Sequence, residues 1–125
     1  MDNCFLSGFP HSCNWPIFQH HHLVNKSVLR NAEARHYAEK VRPDIFIARL
    51  CQNANFTRLA DTKGARAFMW QKKVDRFGYE EVDGALEALR GCFKTPMPEL
   101  RLDALLALET QTRIGDKSGG ARNAA

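Results

Sequence analysis

The sequence predicts an α+β fold, on three observations. Two short segments in the N-terminal half read as strands, the second apolar and rich in branched residues, apolar residues recur at helical spacing through the C-terminal half, and 125 residues suit one domain with a modest core. Residues 1–61 are expected to form a small strand-bearing core and residues 62–114 a helical C-terminal extension. The tail, 115–125, is Gly- and Ser-containing and reads as disordered.

In chain order, Cys4-Phe5-Leu6-Ser7-Gly8 has the composition of a knuckle, where a small residue and a glycine let the chain reverse. Pro10 and Pro16 bracket an irregular loop. Ile17 to Val24 then reads as a strand, in which His20 and His22 share one face and His21 takes the other. Asn31 is a helix cap for Ala32 to Val41, with Glu33 in the first turn and Pro43 forbidding continuation. Asp44 to Leu50 suits a second strand, or a buried turn leading into a helix that opens at Cys51. Asp61-Thr62 caps a helix through about Phe77, with Ala67, Trp70, Val74 and Phe77 on its core face and Gly78 as a left-handed stop. Glu80 and Glu81 start the next helix, lined by Val82, Leu86, Leu89 and Phe93. After Thr95-Pro96-Met97-Pro98 a last helix is expected over Glu99 to Thr112, offering Leu102, Leu105, Leu106 and Leu108. Trp70 and Tyr79 are read as packing residues.

Charge is unevenly placed. Lys26 to Arg76 carries twelve Lys or Arg against five Asp or Glu, whereas Phe77 onward carries six against eight. A basic centre favours a polyanion through phosphate contact and counterion release. Lys26, Arg30, Arg35 and Lys40 are the first candidates for such contact. Lys63, Arg66, Lys72, Lys73 and Arg76 form a second basic face that touches phosphates or is simply solvated. No apolar run reaches the ~18 residues needed to cross a bilayer and no signal-peptide pattern opens the chain, so no membrane partner is expected and a cytoplasmic location is the expectation. In that reducing compartment the four cysteines are expected free or metal-bound, not paired.

The densest chemistry lies in Gln19-His20-His21-His22-Leu23-Val24-Asn25-Lys26-Ser27. Imidazole is both a metal ligand and, with an ordinary pKa of about 6.5, a general base near neutral pH. The run suggests metal-assisted hydrolysis, with nucleic acid presented by the basic residues downstream.

The knuckle Cys4-x-x-Ser7-Gly8, the pair His21-His22-Leu23-Val24 closing a strand, and Leu50-Cys51-Gln52-Asn53-Ala54-Asn55 opening a helix together resemble the HNH, or His-Me finger, nucleases, in particular small phage-type members. The likeness covers Cys4 to Asp61. Ala60-Asp61-Thr62-x-x-Ala65-Arg66 and Arg76-Phe77-Gly78-Tyr79 are similar to helical extensions in such members. The resemblance implies a ββα-metal core and a metal-dependent endonuclease hydrolysing DNA, with RNA left open. It makes His21 a metal ligand, His22 the general base, and Asn55 the ligand from the helix, with Asn53 as the alternative one turn-register away. Arg49 and Arg58 flank this site as candidates for steadying the scissile phosphate.

The chain departs from the family pattern at three points. The family's central Asn has no clear counterpart; Asp44 is the nearest polar residue, and Asn25 is the alternative brace. The usual last His is an Asn, which favours a hard ion such as magnesium or manganese over zinc. The family's two Cys-x-x-Cys zinc knuckles are incomplete, with Ser7 and Ala54 in place of the second thiols. Cys4, Cys13 and Cys51 with His11 supply a mixed set that satisfies tetrahedral zinc, although Cys4 and Cys51 as buried, inert structural thiols is the preferred reading. The rivals to an enzyme are a non-catalytic nucleic-acid-binding or regulatory module on a nuclease-like fold, and a small zinc-stabilised interaction protein. Oligomeric state is open.

Overall fold

A computed structural model describes residues 4–107. Two five-residue strands, β1 (Phe18–His22) and β2 (Ile47–Cys51), pair antiparallel, with Phe18 opposite Cys51, His20 opposite Arg49 and His22 opposite Ile47. The fold is α+β, as expected. Among the described residues six α-helices accompany the pair: α1 (Ala32–His36), α2 (Pro43–Phe46), α3 (Gln52–Phe56), α4 (Lys63–Phe77), α5 (Tyr79–Arg90) and α6 (Leu102–Leu106). Among the described residues no helix is long and apolar enough to cross a membrane.

β1 is shorter than the expected strand, Ile17 to Val24. Leu23 and Val24 leave the ladder and plunge into the core, where both are buried. The segment from Asp44 splits in the same way: its first residues form the helical turn α2, entered through Pro43 at a position where the missing N–H costs nothing, and only Ile47 onward is strand. Asn31 caps α1 by accepting from the backbone N–H of Glu33 and Ala34, and its amide also donates to the Cys92 carbonyl, tying this short helix to the C-terminal half. α1 then widens into a π-turn over Tyr37–Val41.

Thr62 caps α4 through its hydroxyl, and Gly78, at φ 95°, ends it where an L side chain would be strained. Trp70 is fully buried against Phe46, with rings 6.2 Å apart and nearly perpendicular, so α4 packs against the turn α2 that leads into β2. Val82, Leu86 and Leu89 of α5 and Leu102 and Leu105 of α6 close the core. Phe93 lies beyond α5 and is half-buried, and Tyr79 is 47% exposed, so it is not the packing residue its position suggested. The last helix is described only as far as Leu106; Leu108, the rest of the expected helix and the tail lie outside the described residues.

The basic face of α4 needs correction. Lys73 is only 3% exposed, and its ammonium donates to the Asp44 and Ile47 carbonyls, while Lys72 donates to the Phe5 and Ser7 carbonyls at 2.9 and 2.7 Å. These amines pin the knuckle and the entry to β2 onto α4; they are clamps, not a solvated face. Burial, helped by the neighbouring Arg76 charge, pushes Lys73 down to about 8 from an ordinary 10.5. Between those values the unfolded chain holds a proton that the folded chain has released, so stability is expected to rise as pH increases from about 8 to 10.5. Urea midpoints measured across that window should climb in the wild-type chain and climb distinctly less in Lys73→Met; equal slopes would refute the assignment.

Candidate functional site

A cleft of about 290 Å³ opens at the end of β1 and is lined by His20, His21, His22, Asn25, Lys26, Asn55, Arg58 and Asp61. Its geometry begins with Cys51. This residue ends β2 and caps α3, its sulfur accepting from the Ala54 N–H at 3.3 Å, and the cap fixes the rotation of the five-residue helix. The helix phase then turns Asn55 toward β1. His21 Nδ1 lies 3.3 Å from Asn55 Oδ1, and the Asn55 amide donates to Gln19 Oε1. Gln19 and His21 thus share the α3 side of β1, as strand alternation requires. A spacing of 3.3 Å is long for a hydrogen bond, but two donor atoms each about 2.1 Å from one ion at cis or tetrahedral angles lie about 3.0–3.5 Å apart. The nitrogen and amide oxygen therefore fit a shared hard or borderline divalent ion. Burial lowers the His21 pKa, against the opposing pull of Asp61 and Asn55, and this favours the neutral imidazole that ligation needs.

His22 turns the other way, as the alternation predicts. Its Nε2–H donates to Glu39 Oε2 at 2.7 Å, across from the π-turn that follows α1. This bond holds the Glu39 carboxyl below the usual carboxylate range. An ionised carboxylate only accepts, so the proton sits on Nε2 and Nδ1 is left as the basic nitrogen. His22 and Lys26 also line a smaller cavity with Leu29, Arg35 and Glu39, so they form the partition between the two hollows.

Other expected site residues divide between the cleft and elsewhere. Arg58 lies in the cleft at φ 65°, 84% exposed by its side chain and 3.8 Å from Asp61, and Lys26 and Asn25 are beside it. Asn25 folds its own turn by accepting from the Ser27 N–H and hydroxyl. Arg66 on α4 is close enough to depress the His21 imidazolium. Arg35 lines the Glu39 hollow and donates to the Leu29 carbonyl; Arg30 and Lys40 are exposed on the 3₁₀ and π-turns. Asn53 is outside: its amide donates to the Ser12 carbonyl, because residues two apart on a helix point about 200° apart. Arg49 does not flank the cleft either. It stacks over Phe18 and Trp15 and lines a separate groove of about 740 Å³ beside the knuckle. Asp44 opens onto that same groove and is paired with Arg42 at 3.1 Å, so it is no substitute for the central Asn. Glu39 is the polar residue that touches the candidate base, and its only trace in the sequence is the Arg35/Glu39 pair at i,i+4 opposite buried Ala34 and Ala38.

A second donor set lies behind α3. The ligand atoms of Cys4, His11, Cys13 and Cys51 all fall within 4.8 Å of one another. Cys4 Sγ and His11 Nε2 are 3.7 Å apart, close to the edge of a zinc tetrahedron, which is about 3.5–3.8 Å with sulfur and nitrogen ligands. His11 Nδ1–H donates to the Phe9 carbonyl at 2.6 Å, which leaves Nε2 as the free lone pair. The Cys51 N–H donates to Cys4 Sγ at 3.2 Å. Burial pushes the Cys51 thiol up, but bonds from the backbone at Ala54 and Asn14 and from Cys13 and His11 outweigh it and bring it to about 7. Three thiols and an imidazole form a soft set that can hold a metal ion and suits zinc better than magnesium. Cys4 and Cys51 are buried and unpaired, as expected, and they also form the inner wall of this four-donor cluster. Comparison of the chain with protein-family models, with curated proteins and with solved structures finds no match.

Proposed function

We propose that this protein is a metal-dependent endonuclease that hydrolyses DNA phosphodiester bonds on a ββα-metal core made of β1, β2 and α3. The observation that carries the reading is the pairing of His21 with Asn55 at 3.3 Å beside a second imidazole tethered by a carboxylate, in one cleft rimmed by Lys26 and Arg58. His21 Nδ1 and Asn55 Oδ1 would hold a divalent ion, and their hard character favours magnesium or manganese. Such an ion supplies charge stabilisation on the phosphate and the leaving oxygen. His22 takes the proton from the attacking water at Nδ1, and Glu39 stays ionised, fixes the tautomer and favours the imidazolium that forms. Lys26 and Arg58 hold the phosphate oxygens. The Cys4/His11/Cys13/Cys51 cluster would hold a zinc ion, which when bound would brace the knuckle against the start of α3.

Supercoiled plasmid is expected to be cleaved with magnesium or manganese and left intact when the ion is omitted. Asn55→Ala should raise the metal concentration needed for half-maximal cleavage by about 10–100-fold, the usual cost of losing an oriented ligand group. Cleavage that ignores both the ion and Asn55 would overturn the proposal. The Cys/His cluster by itself also supports a zinc-stabilised nucleic-acid-binding module; binding of plasmid without cleavage under any divalent ion would select it.

A further inference from the structure

The face of the sheet turned away from α3, which also presents His22, carries side chains to which the proposed hydrolysis assigns no step. Phe18 and His20 share that face, opposite the partners Cys51 and Arg49, and Phe18 remains 41% exposed. The rings form a row: Trp15 and Phe18 are 5.5 Å apart and tilted by 38°, and Phe18 and His20 are 6.0 Å apart, edge to face. The Arg49 guanidinium carbon sits 4.0 Å above Phe18 and 5.5 Å from Trp15. Ile17, 55% exposed, extends the apolar surface beside the row. A sheet face with no other role would be expected to carry polar residues toward water. At its far end the row reaches the cleft itself, because His20 lines it together with His21 and His22.

We propose that Trp15, Phe18 and His20, with Arg49, form a stacking ledge for one or two unpaired nucleotides adjoining the scissile phosphate, so that the cleft works on single-stranded or locally opened DNA. This rests on the nuclease reading. Flat rings match the π-face of an unpaired base, the Arg49 guanidinium stacked on Phe18 extends that planar surface, and the phosphate falls to Lys26 and Arg58 of the adjoining cleft. Bases within a duplex are already stacked on each other and present only their edges, so the row has nothing to grip there. Continuity with the cleft supplies the direction: a base seated on Phe18 or His20 places its neighbouring phosphate toward Lys26 and Arg58.

The test uses the full chain with His22→Ala to suspend hydrolysis, in magnesium, with a labelled twelve-residue oligo-dT and a mixed-sequence duplex of equal length. The single strand is expected to bind at least about fivefold more tightly than the duplex. Phe18→Leu, which keeps apolar bulk and removes the ring, should weaken oligo-dT binding about tenfold, and Phe18→Trp should restore it. Tryptophan emission gives an independent readout: of the two tryptophans Trp70 is fully buried, so quenching by oligo-dT reports Trp15. Equal binding of oligo-dT by the Leu and Trp variants, or a preference for duplex, sinks the ledge while plasmid cleavage by the wild-type chain keeps the nuclease reading. Absence of any nucleic-acid binding together with absence of cleavage sinks both.

Discussion

Replacing His22 by alanine is expected to reduce plasmid cleavage by about 10²–10⁴-fold, the usual worth of a positioned general base, while leaving DNA affinity within a few fold. The expectation comes from the two bonds that separate the adjacent imidazoles: His21 meets Asn55 at 3.3 Å and His22 meets Glu39 at 2.7 Å, so the two rings have different partners and different work. His21→Ala should fail differently, through lost metal affinity that added ion partly restores. Glu39→Gln keeps an acceptor near Nε2 but removes the charge, and should cost about tenfold or more in kcat with little change in KM, since it acts through His22 and not on DNA. Single-turnover cleavage at saturating magnesium, with binding measured by anisotropy, separates these cases. A His22→Ala enzyme that cuts at the wild-type rate would remove the proposed base.

If the Cys/His cluster holds zinc as proposed, its loss is expected to have the largest effect on stability. The described chain has a two-stranded sheet and a five-residue helix, α3, as the frame of its cleft, and neither is stable alone. The Cys4/His11/Cys13/Cys51 cluster joins the knuckle, the loop before β1 and the cap of α3 at one point. Elemental analysis should find one zinc per chain, and Cys51→Ala or a strong chelator should lower the melting temperature by roughly 10–20 °C, corresponding to several kcal/mol for a domain of this size. Cys51→Ala removes the α3 cap as well as a ligand, so Cys13→Ser is the cleaner comparison: Cys13 is exposed and caps nothing. A Cys13→Ser protein with unchanged zinc content and melting temperature would show that the cluster is four unligated side chains.

Local signals set much of what was legible. The caps at Asn31 and Thr62 and the stop at Gly78 depend on side chains bonding their own neighbouring backbone, which spacing alone reveals. Strand alternation likewise separated His21 from its neighbours. Where the reading went astray, the deciding partner was distant in sequence. Lys72 and Lys73 sit in a basic run that resembles a solvated face, but their partners are carbonyls of the knuckle and of residues 44 and 47. Adjacency to Leu50-Cys51 suggests a place for Arg49 at the site, yet the pleat sends it to the sheet face turned away from α3, where it stacks on Phe18. Choosing Asn55 over Asn53 required the phase of α3, and Cys51 sets that phase through a bond to the Ala54 N–H.

What the sequence determined by itself is the alternation of His20, His21 and His22, the helix boundaries fixed by caps, and a soft and a hard donor set in one short chain, because these follow from residue type and periods of 2.0 and 3.6. Only the tertiary structure decided which donors meet. The antiparallel register and the rotation of α3 bring residue 21 to residue 55, residue 22 to residue 39, and residue 4 to residue 51. Contacts spanning 17 to 47 positions depend on how Trp70 and Phe46 pack with Leu50 of β2 in one core, and that packing has no local code.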